Sequence, residues 1–306
     1  MTMTITRSIA DCRSARTLLA GKSPLVFVPT MGALHAGHGH LITMARKLAG
    51  ETGAVAASVF VNPLQFGPHE DFHRYPRPFS ADAQLLDQLG ADLLFAPEVQ
   101  DMYPAGNAVV TVDPGPLANV LEGQIRPGHF RGVCTVVAKL LAIVQCDILI
   151  LGQKDYQQQA VVRQMILDLN IPTQLIVAPT VREPDGLAMS SRNRYLSADQ
   201  RPRAAVIFQA LTAAQDTILS GHRHAAAITS AMSAHISAAG LTVDYALPCH
   251  PETLAEVNGE IALPCVLLVA ARLGTTRLID NLIVESESLA ATTPSPLEPP
   301  SALPQI

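Results

Sequence analysis

The segment Pro29-Thr30-Met31-Gly32-Ala33-Leu34-His35-Ala36-Gly37-His38 constrains this chain more than any other, because it joins the apolar run Leu25 to Val28 to a helix-like segment from Leu41 to Leu48. A strand that ends in a glycine-bearing turn, with two histidines at the mouth of a helix, is the arrangement expected for gripping a nucleotide triphosphate. A helix N-terminus presents unpaired N–H groups and about half a positive charge, and both favour phosphate oxygens. Gly32 and Gly37 lack a Cβ and so let backbone and ligand approach closely. His35 and His38, at i and i+3, fall on one side of the first helical turn and can address one phosphate group. Two histidines alone would more often cap a helix; the surrounding strand, turn and glycines favour the anion site.

Further along, apolar runs at Val55–Val61, Val109–Val112, Ile148–Leu151 and Leu175–Val177 alternate with helix-like segments at Ala81–Leu89, Val133–Val144 and Ala160–Leu169. Such alternation predicts an α/β fold, with a Rossmann-like, mostly parallel sheet covered on both faces. Its ligand crevice is expected beyond the carboxyl ends of the strands. His35 and His38 follow the first strand, Asn62 and Gln65 the second, and Lys154 and Asp155 the run Ile148–Leu151. After the turn-rich Arg182-Glu183-Pro184-Asp185-Gly186 the texture changes. Helical stretches at about Ala198–Leu219 and His224–Ala239 precede strand-like runs at Leu241–Leu247, Val266–Ala270 and Arg277–Val284, with a turn at Leu273–Thr276. The expected organisation is a Rossmann-like domain over 1–183 and a smaller α+β domain over 184–284. A tail over 285–306, with five prolines and no apolar periodicity, is expected to be disordered.

Composition narrows the partners. At 48% apolar residues, 306 residues can fill two packed cores, and no apolar stretch reaches the roughly 18 residues of a membrane span. The first residues, with Arg7 and Asp11, do not read as a secretory signal, so a cytoplasmic protein is expected. Five scattered cysteines without a CxxC pair argue against a disulfide framework or a zinc knuckle. A formal charge of −5 and 4% aromatic residues offer nucleic acid neither attraction nor stacking platforms. Anionic ligands must therefore be held by local cationic groups.

The decapeptide resembles the HxGH signature of nucleotidyltransferases, with Ala36 at a position often held by Ile, and in this form it is similar to the pantothenate synthetase (pantoate–beta-alanine ligase) family. The segments Phe60–Phe66, Arg74–Arg77, Arg126–Val133, Gly152–Gln158, Met189–Asn193 and Leu278–Asn281 match in the family's order, over roughly residues 20 to 285. The resemblance implies two half-reactions: pantoate attacks the α-phosphate of ATP and releases pyrophosphate, and beta-alanine then attacks the pantoyl adenylate and releases AMP. It implies His38, His35 and Lys154 as catalytic residues. It gives Met31, Gly32, Ala33, Leu34, His35, Ala36, Gly37 and His38, then Gly152, Gln153, Lys154 and Asp155, then Val181, then Met189, Ser190, Ser191 and Arg192 to ATP. Met189–Arg192 resembles the mobile KMSKS-type clamp of the wider superfamily. Gln65 and Gln158 fall to pantoate, and Gln65 also to beta-alanine. Asn62 and Tyr75 are further members, and Arg126–His129 a substrate-side loop. Magnesium is implied as the partner of ATP, with no protein-only metal cage in the sequence, and a homodimer is implied as the assembly.

Three other readings remain open at the level of residues. One is an adenylyltransferase acting on a phosphate ester, which the Gln65, Gln158 and Arg126–Gly132 segments disfavour. The second is a nucleotide-binding regulator, against which His38 and Lys154 speak. The third is a metal hydrolase using His35 and His38, for which the HExxH motif and a third ligand are missing.

Overall fold

The computed structural model of the chain describes residues 3–68 and 70–286; most of the Pro-rich segment called a tail, 287–306, lies outside the described residues. In chain order, the first module runs β1 (Thr4–Thr6), α1 (Ile9–Leu18), β2 (Leu25–Thr30), α2 (Ala36–Ala49), β3 (Ala54–Val59), α3 (Phe79–Gln88), β4 (Leu93–Phe95), α4 (Val99–Met102), α5 (Glu122–Ile125), α6 (His129–Val144), β5 (Ile148–Gly152), α7 (Tyr156–Asp168) and β6 (Gln174–Ala178). The second runs α8 (Gln200–Ala204), α9 (Val206–Leu219), α10 (Ala225–Ala238), β7 (Thr242–Cys249), β8 (Cys265–Leu273) and β9 (Thr276–Val284).

All pairings in the first sheet are parallel, in the order β1-β4-β3-β2-β5-β6. Strands buried on both faces have to be apolar at every position, which is why β2 and β5 read as unbroken apolar runs. Leu25 and Phe27 face α1, α6 and α7, while Val26 and Val28 face α2 and α3 through Ile42, Ala45 and Leu86. The chain starts at the edge strand β1, enters the middle of the sheet at β2, winds outward through β3 to β4 beside β1, then crosses back to β5 and β6 on the other side of β2. The winding reverses between β2 and β5, and the crevice at such a reversal is where α/β sheets bind ligands. The histidine turn leaves β2 and the Lys154 turn leaves β5 at this place.

Several expectations are corrected. Val109–Val112 forms no strand; Val109 and Val110 are 88% and 85% exposed in a loop, and Val112 N–H donates to Thr135 Oγ1 at 3.0 Å. β-branched content without a neighbouring strand to pair with is not enough to make one. The missing places are taken by β1 and β4, three residues each and too short to show a period. The helix expected over Ala198–Leu219 breaks at Ala205, where ψ is −16°.

The second module is an antiparallel sheet, β7-β8-β9, with helices on one face. β8 is buried on both faces. Leu267, Val269 and Ala271 pack with Ile207, Leu211 and Ile236 of α9 and α10, while Val266 and Leu268 pack with Tyr156 and Ala160 of α7. The sheet is thus the middle layer between its own helices and the first module.

Polar ties reinforce that contact. Arg277 of β9 donates to both oxygens of Glu122 on α5, at 2.6 and 2.7 Å, and to Asp244 Oδ2 at 2.6 Å, while Tyr245 O–H donates to Glu122 Oε1 at 2.7 Å. Burial raises the Glu122 carboxyl, but the Arg277 guanidinium outweighs it and holds the group below the usual carboxylate range. Removing one partner of such a buried pair leaves an uncompensated charge. Arg277→Ala is expected to lower unfolding free energy by about 3–5 kcal/mol in a urea titration. A loss below about 1 kcal/mol would mean that the pair behaves like an exposed one.

Candidate active site

The turn between β2 and α2 is closed by side chains. Thr30 Oγ1 accepts from Gly32 N–H at 3.2 Å, and the buried Asp82 of α3 accepts from Ala33 and Leu34 N–H, both at 2.8 Å. Gly32 sits at φ +81°, where a Cβ would come within 2.9 Å of Asp82 Oδ2, so glycine is the residue that permits this grip. Ala33 is held at φ +52° behind it, a conformation that L side chains seldom adopt.

Both histidines cap the helix. Gly37 N–H donates to His35 Nδ1 at 3.1 Å, and His35 N–H donates to His38 Nδ1 at 3.4 Å, with the ring centroids 4.1 Å apart. An Nδ1 that accepts leaves the proton on Nε2, so each neutral ring keeps an Nε2–H donor for a ligand. Burial, reinforced by the Lys154 ammonium, lowers His35 to about 4; burial, then His35 and Lys154, lowers His38 to about 3. The N–H groups expected to meet phosphate directly are therefore largely occupied at Gly32, Ala33, Leu34, His35 and Gly37. Side-chain donors remain for the ligand.

Other segments converge on the turn. Gln65 Nε2 donates to Met31 Sδ at 3.2 Å, and its Oε1 accepts from Asn62 Nδ2 at 3.0 Å, which fixes the amide with its N–H edge toward Met31. Asn62 is itself fixed by Tyr103 O–H at 2.9 Å and by donation to Gly132 O at 3.1 Å. His129, lowered to about 4 by burial and then by Arg126, lies 2.8 Å from Gln65 O through Nδ1 and 3.0 Å from Arg126 through Nε2. Met189 lies over the turn, since a Cβ on Gly37 would stand 3.5 Å from Met189 Cβ, and Met189 N–H donates to Val181 O at 2.9 Å.

Lys154, Asp155, Ser190 and Arg192 line a cavity of about 560 Å³, together with Glu70, Asp71, Arg126 and Asp280. A smaller depression of about 40 Å³ shares Lys154, Asp155 and Arg126 with it and adds Gln158 and His129. His35, His38 and Gln65 line neither. Two of the cavity arginines are engaged with carboxylates of the loop after Phe66: Arg126 with Glu70 at 2.7 Å and Arg192 with Asp71 at 3.1 Å. Among the described residues, Lys154 has no carboxylate within ion-pair distance. The arrangement offers an unpaired ammonium in the cavity, and two Nε2–H donors and the Gln65 amide outside its lining at the same switch point of the sheet, a set suited to a polyanion and a hydroxylated acid.

The model of the pantoate-beta-alanine ligase family matches residues 4–283. The chain belongs to this family. A pantothenate synthetase of Chloroflexus aurantiacus is 47% identical over 93% of this chain and 99% of its own length, and one of Nocardioides is 50% identical over 83% and 77%. The crystal structure of the Thermus thermophilus pantothenate synthetase is 46% identical and superposes with a TM-score of 0.85 over 93% of this chain and all of the other. The Francisella tularensis pantoate-beta-alanine ligase, solved in complex with beta-gamma ATP and beta-alanine, is 37% identical with a TM-score of 0.76, covering 93% and 98%. The activity is that of the family, ATP-dependent condensation of pantoate with beta-alanine, and ATP is a co-substrate.

Sequence reasoning missed Asp82, whose carboxylate organises the ligase's histidine turn from a helix 48 residues away. No local pattern marks it, since a lone Asp in the first turn of a helix usually serves that helix. It also missed the engagement of Arg192 with Asp71, which depends on a loop far off in sequence.

The pH behaviour follows from the lowered imidazoles. In the unfolded chain they would titrate near 6.5, so between that value and about 4 the unfolded state binds more protons. Stability contributed by these groups is full above about pH 6.5 and is lost as pH falls toward about 4. NMR of the His35 and His38 rings is expected to show no protonation step between about pH 5.5 and 8, and a step near 6.5 on either ring would remove the neutral-donor assignment.

Proposed function

We propose that the chain activates the pantoate carboxylate as a pantoyl adenylate in the crevice between β2 and β5, and that beta-alanine captures it there. A carboxylate will not accept an amine directly because oxide would have to leave; a mixed anhydride with AMP supplies the leaving group. The observation that carries this reading is the unpaired Lys154 ammonium, near enough to help lower two neutral histidines with protons on Nε2, at the switch point of the sheet.

As the carboxylate attacks, charge accumulates on the α-phosphate and on the departing pyrophosphate. Donors aimed at that charge stabilise the transition state more than bound ATP. His38 donates through Nε2–H to the reacting phosphate, and His35 assists on the same group. With His38 lowered to about 3 the ring is neutral near pH 7, so it gives a hydrogen bond rather than a full proton. Lys154 neutralises the phosphates as a point charge. Ser190, Ser191 and Arg192 hold the β- and γ-phosphates, with Arg192 exchanging Asp71 for phosphate oxygens. Gly152, Gln153 and Asp155 carry the ribose, and Val181 and Met189 the adenine side. Gln65, its amide already oriented by Asn62, donates to pantoate and then to beta-alanine, and Gln158 holds pantoate from the facing helix.

Magnesium fits as a companion of the triphosphate. Among the described residues no group of three His, Cys, Asp or Glu stands where it could hold a metal ion, and Glu70 and Asp71 are engaged with arginines. Asp155, which lines the cavity, is the carboxylate best placed to meet the complex. When bound, the ion supplies charge neutralisation to the phosphates. The chain is further proposed to work as a cytoplasmic homodimer; among the described residues no helix is long and apolar enough to cross a membrane, and the exposed Leu18, Val109 and Val110 offer apolar surface for a second copy to cover.

If activation precedes amine attack, the enzyme exchanges labelled pyrophosphate into ATP when pantoate and magnesium are present and beta-alanine is absent. Omitting pantoate abolishes the exchange, and release of ADP and phosphate would sink the adenylate. His38→Ala is expected to slow adenylation about 100- to 1000-fold in single turnover while changing ATP affinity little. Normal adenylation by that variant would remove His38 from the mechanism.

A further inference from the structure

Asp280 and Asn281, adjacent on β9, take no part in the reading above, yet both are buried and their polar groups reach into the first module. Asn281 Nδ2 donates to the carbonyls of Gln153 and Lys154, each at 3.0 Å, and its Oδ1 accepts from Gln153 Nε2 at 3.1 Å. Both amide protons are thus spent on two successive peptide planes of the turn that carries Lys154. Asp280 takes Arg182 at 2.6 and 3.0 Å and accepts the N–H of Asn281 at 2.8 Å, which orients the strand at that point. Arg182 is fixed in turn, lying 3.8 Å over the Phe208 ring.

The turn needs such a support. Gln153 N–H donates to Ala178 O at 2.8 Å, the last tie to the parallel sheet, and α7 begins only at Tyr156. Between them the peptides of Gln153 and Lys154 lie outside both ladders. Fixing two successive carbonyls fixes the direction in which the Lys154 side chain leaves the backbone, and a long, flexible side chain can serve a reacting phosphate well only from a fixed origin. Asparagine suits this task because its amide has two protons on one rigid plane, whereas an ionised aspartate has none to give.

We propose that Asn281 is a positioning residue for Lys154, so that the antiparallel sheet takes part in adenylation through one amide. This rests on the reading of Lys154 as a phosphate ligand. A merely structural tie between modules would be equally buried, and the two differ in what a substitution changes. The rate constant of a single turnover belongs to the folded enzyme, whereas its amplitude reports how much enzyme is folded.

The test uses the full chain with ATP, magnesium and pantoate, comparing the unaltered protein, Asn281→Ala, Lys154→Ala and the double variant. Asn281→Ala is expected to lower the adenylation rate constant about 100-fold, as a misplacement of about 1 Å does, with little change in ATP affinity. In the Lys154→Ala background the same change should cost about twofold or less, because the residue it positions is gone. Asn281→Ser, which keeps one donor, serves where Asn281→Ala leaves too little folded enzyme, and its rate constant should fall between the two. A lowered amplitude and thermal midpoint with an unchanged rate constant would overturn the proposal in favour of a structural tie, as would losses that multiply in the double variant. Full activity of Lys154→Ala would remove the reading beneath it and the inference with it.

Discussion

Backbone donors at the mouth of a helix must be answered before anything else can be built there, and in this protein the answer is internal. Asp82 takes two N–H groups of the turn after β2, Thr30 one, and the two histidine rings two more. The turn is consequently rigid without a ligand, and it holds Ala33 in a strained conformation that an unsupported loop would abandon. Because Nδ1 of each ring is spent on the backbone, Nε2 is left protonated and its chemistry fixed. Capping, one of the two competing readings of the sequence, occupies one nitrogen of each ring and leaves the other with its N–H to give.

Much of this was legible in the chain itself. Apolar runs located β2, β3, β5 and β6, and those of β2 and β5 are unbroken because strands covered on both faces have no polar side to show. The same logic failed for β1 and β4, which are three residues long, and for Val109–Val112, where valines lie in an exposed loop. In the site, ordered motifs brought the histidine turn, Lys154, Gln65 and Met189–Arg192 into view as segments. What no segment could disclose was how they are held. Asp82, Asp71 and Asn281 act on residues 48, 121 and 127 positions away, and such pairings exist only once the sheet has wound.

The cations of the cavity are kept in two different conditions. Arg126 and Arg192 rest on Glu70 and Asp71, both from the loop after Phe66, while Lys154 is left without such a partner. Paired arginines have their guanidinium planes already oriented, so an incoming anion exchanges one set of oxygens for another instead of ordering a free side chain. Any anion taken up by these two arginines would have to displace Glu70 and Asp71, which would couple its binding to the position of residues 70 and 71.

The placement of β8 between two apolar layers bears on how such a protein can be taken apart. Val266 and Leu268 belong to the same strand as Leu267 and Val269, yet they complete a different core, the one shared with Tyr156 and Ala160 of α7. A polypeptide beginning after β6 would carry that second face uncovered, as a flat apolar sheet surface ready to stick to its own kind. The smaller module is therefore poor material for grafting or for expression by itself, because its sheet was built as an inner wall and has no side made for water.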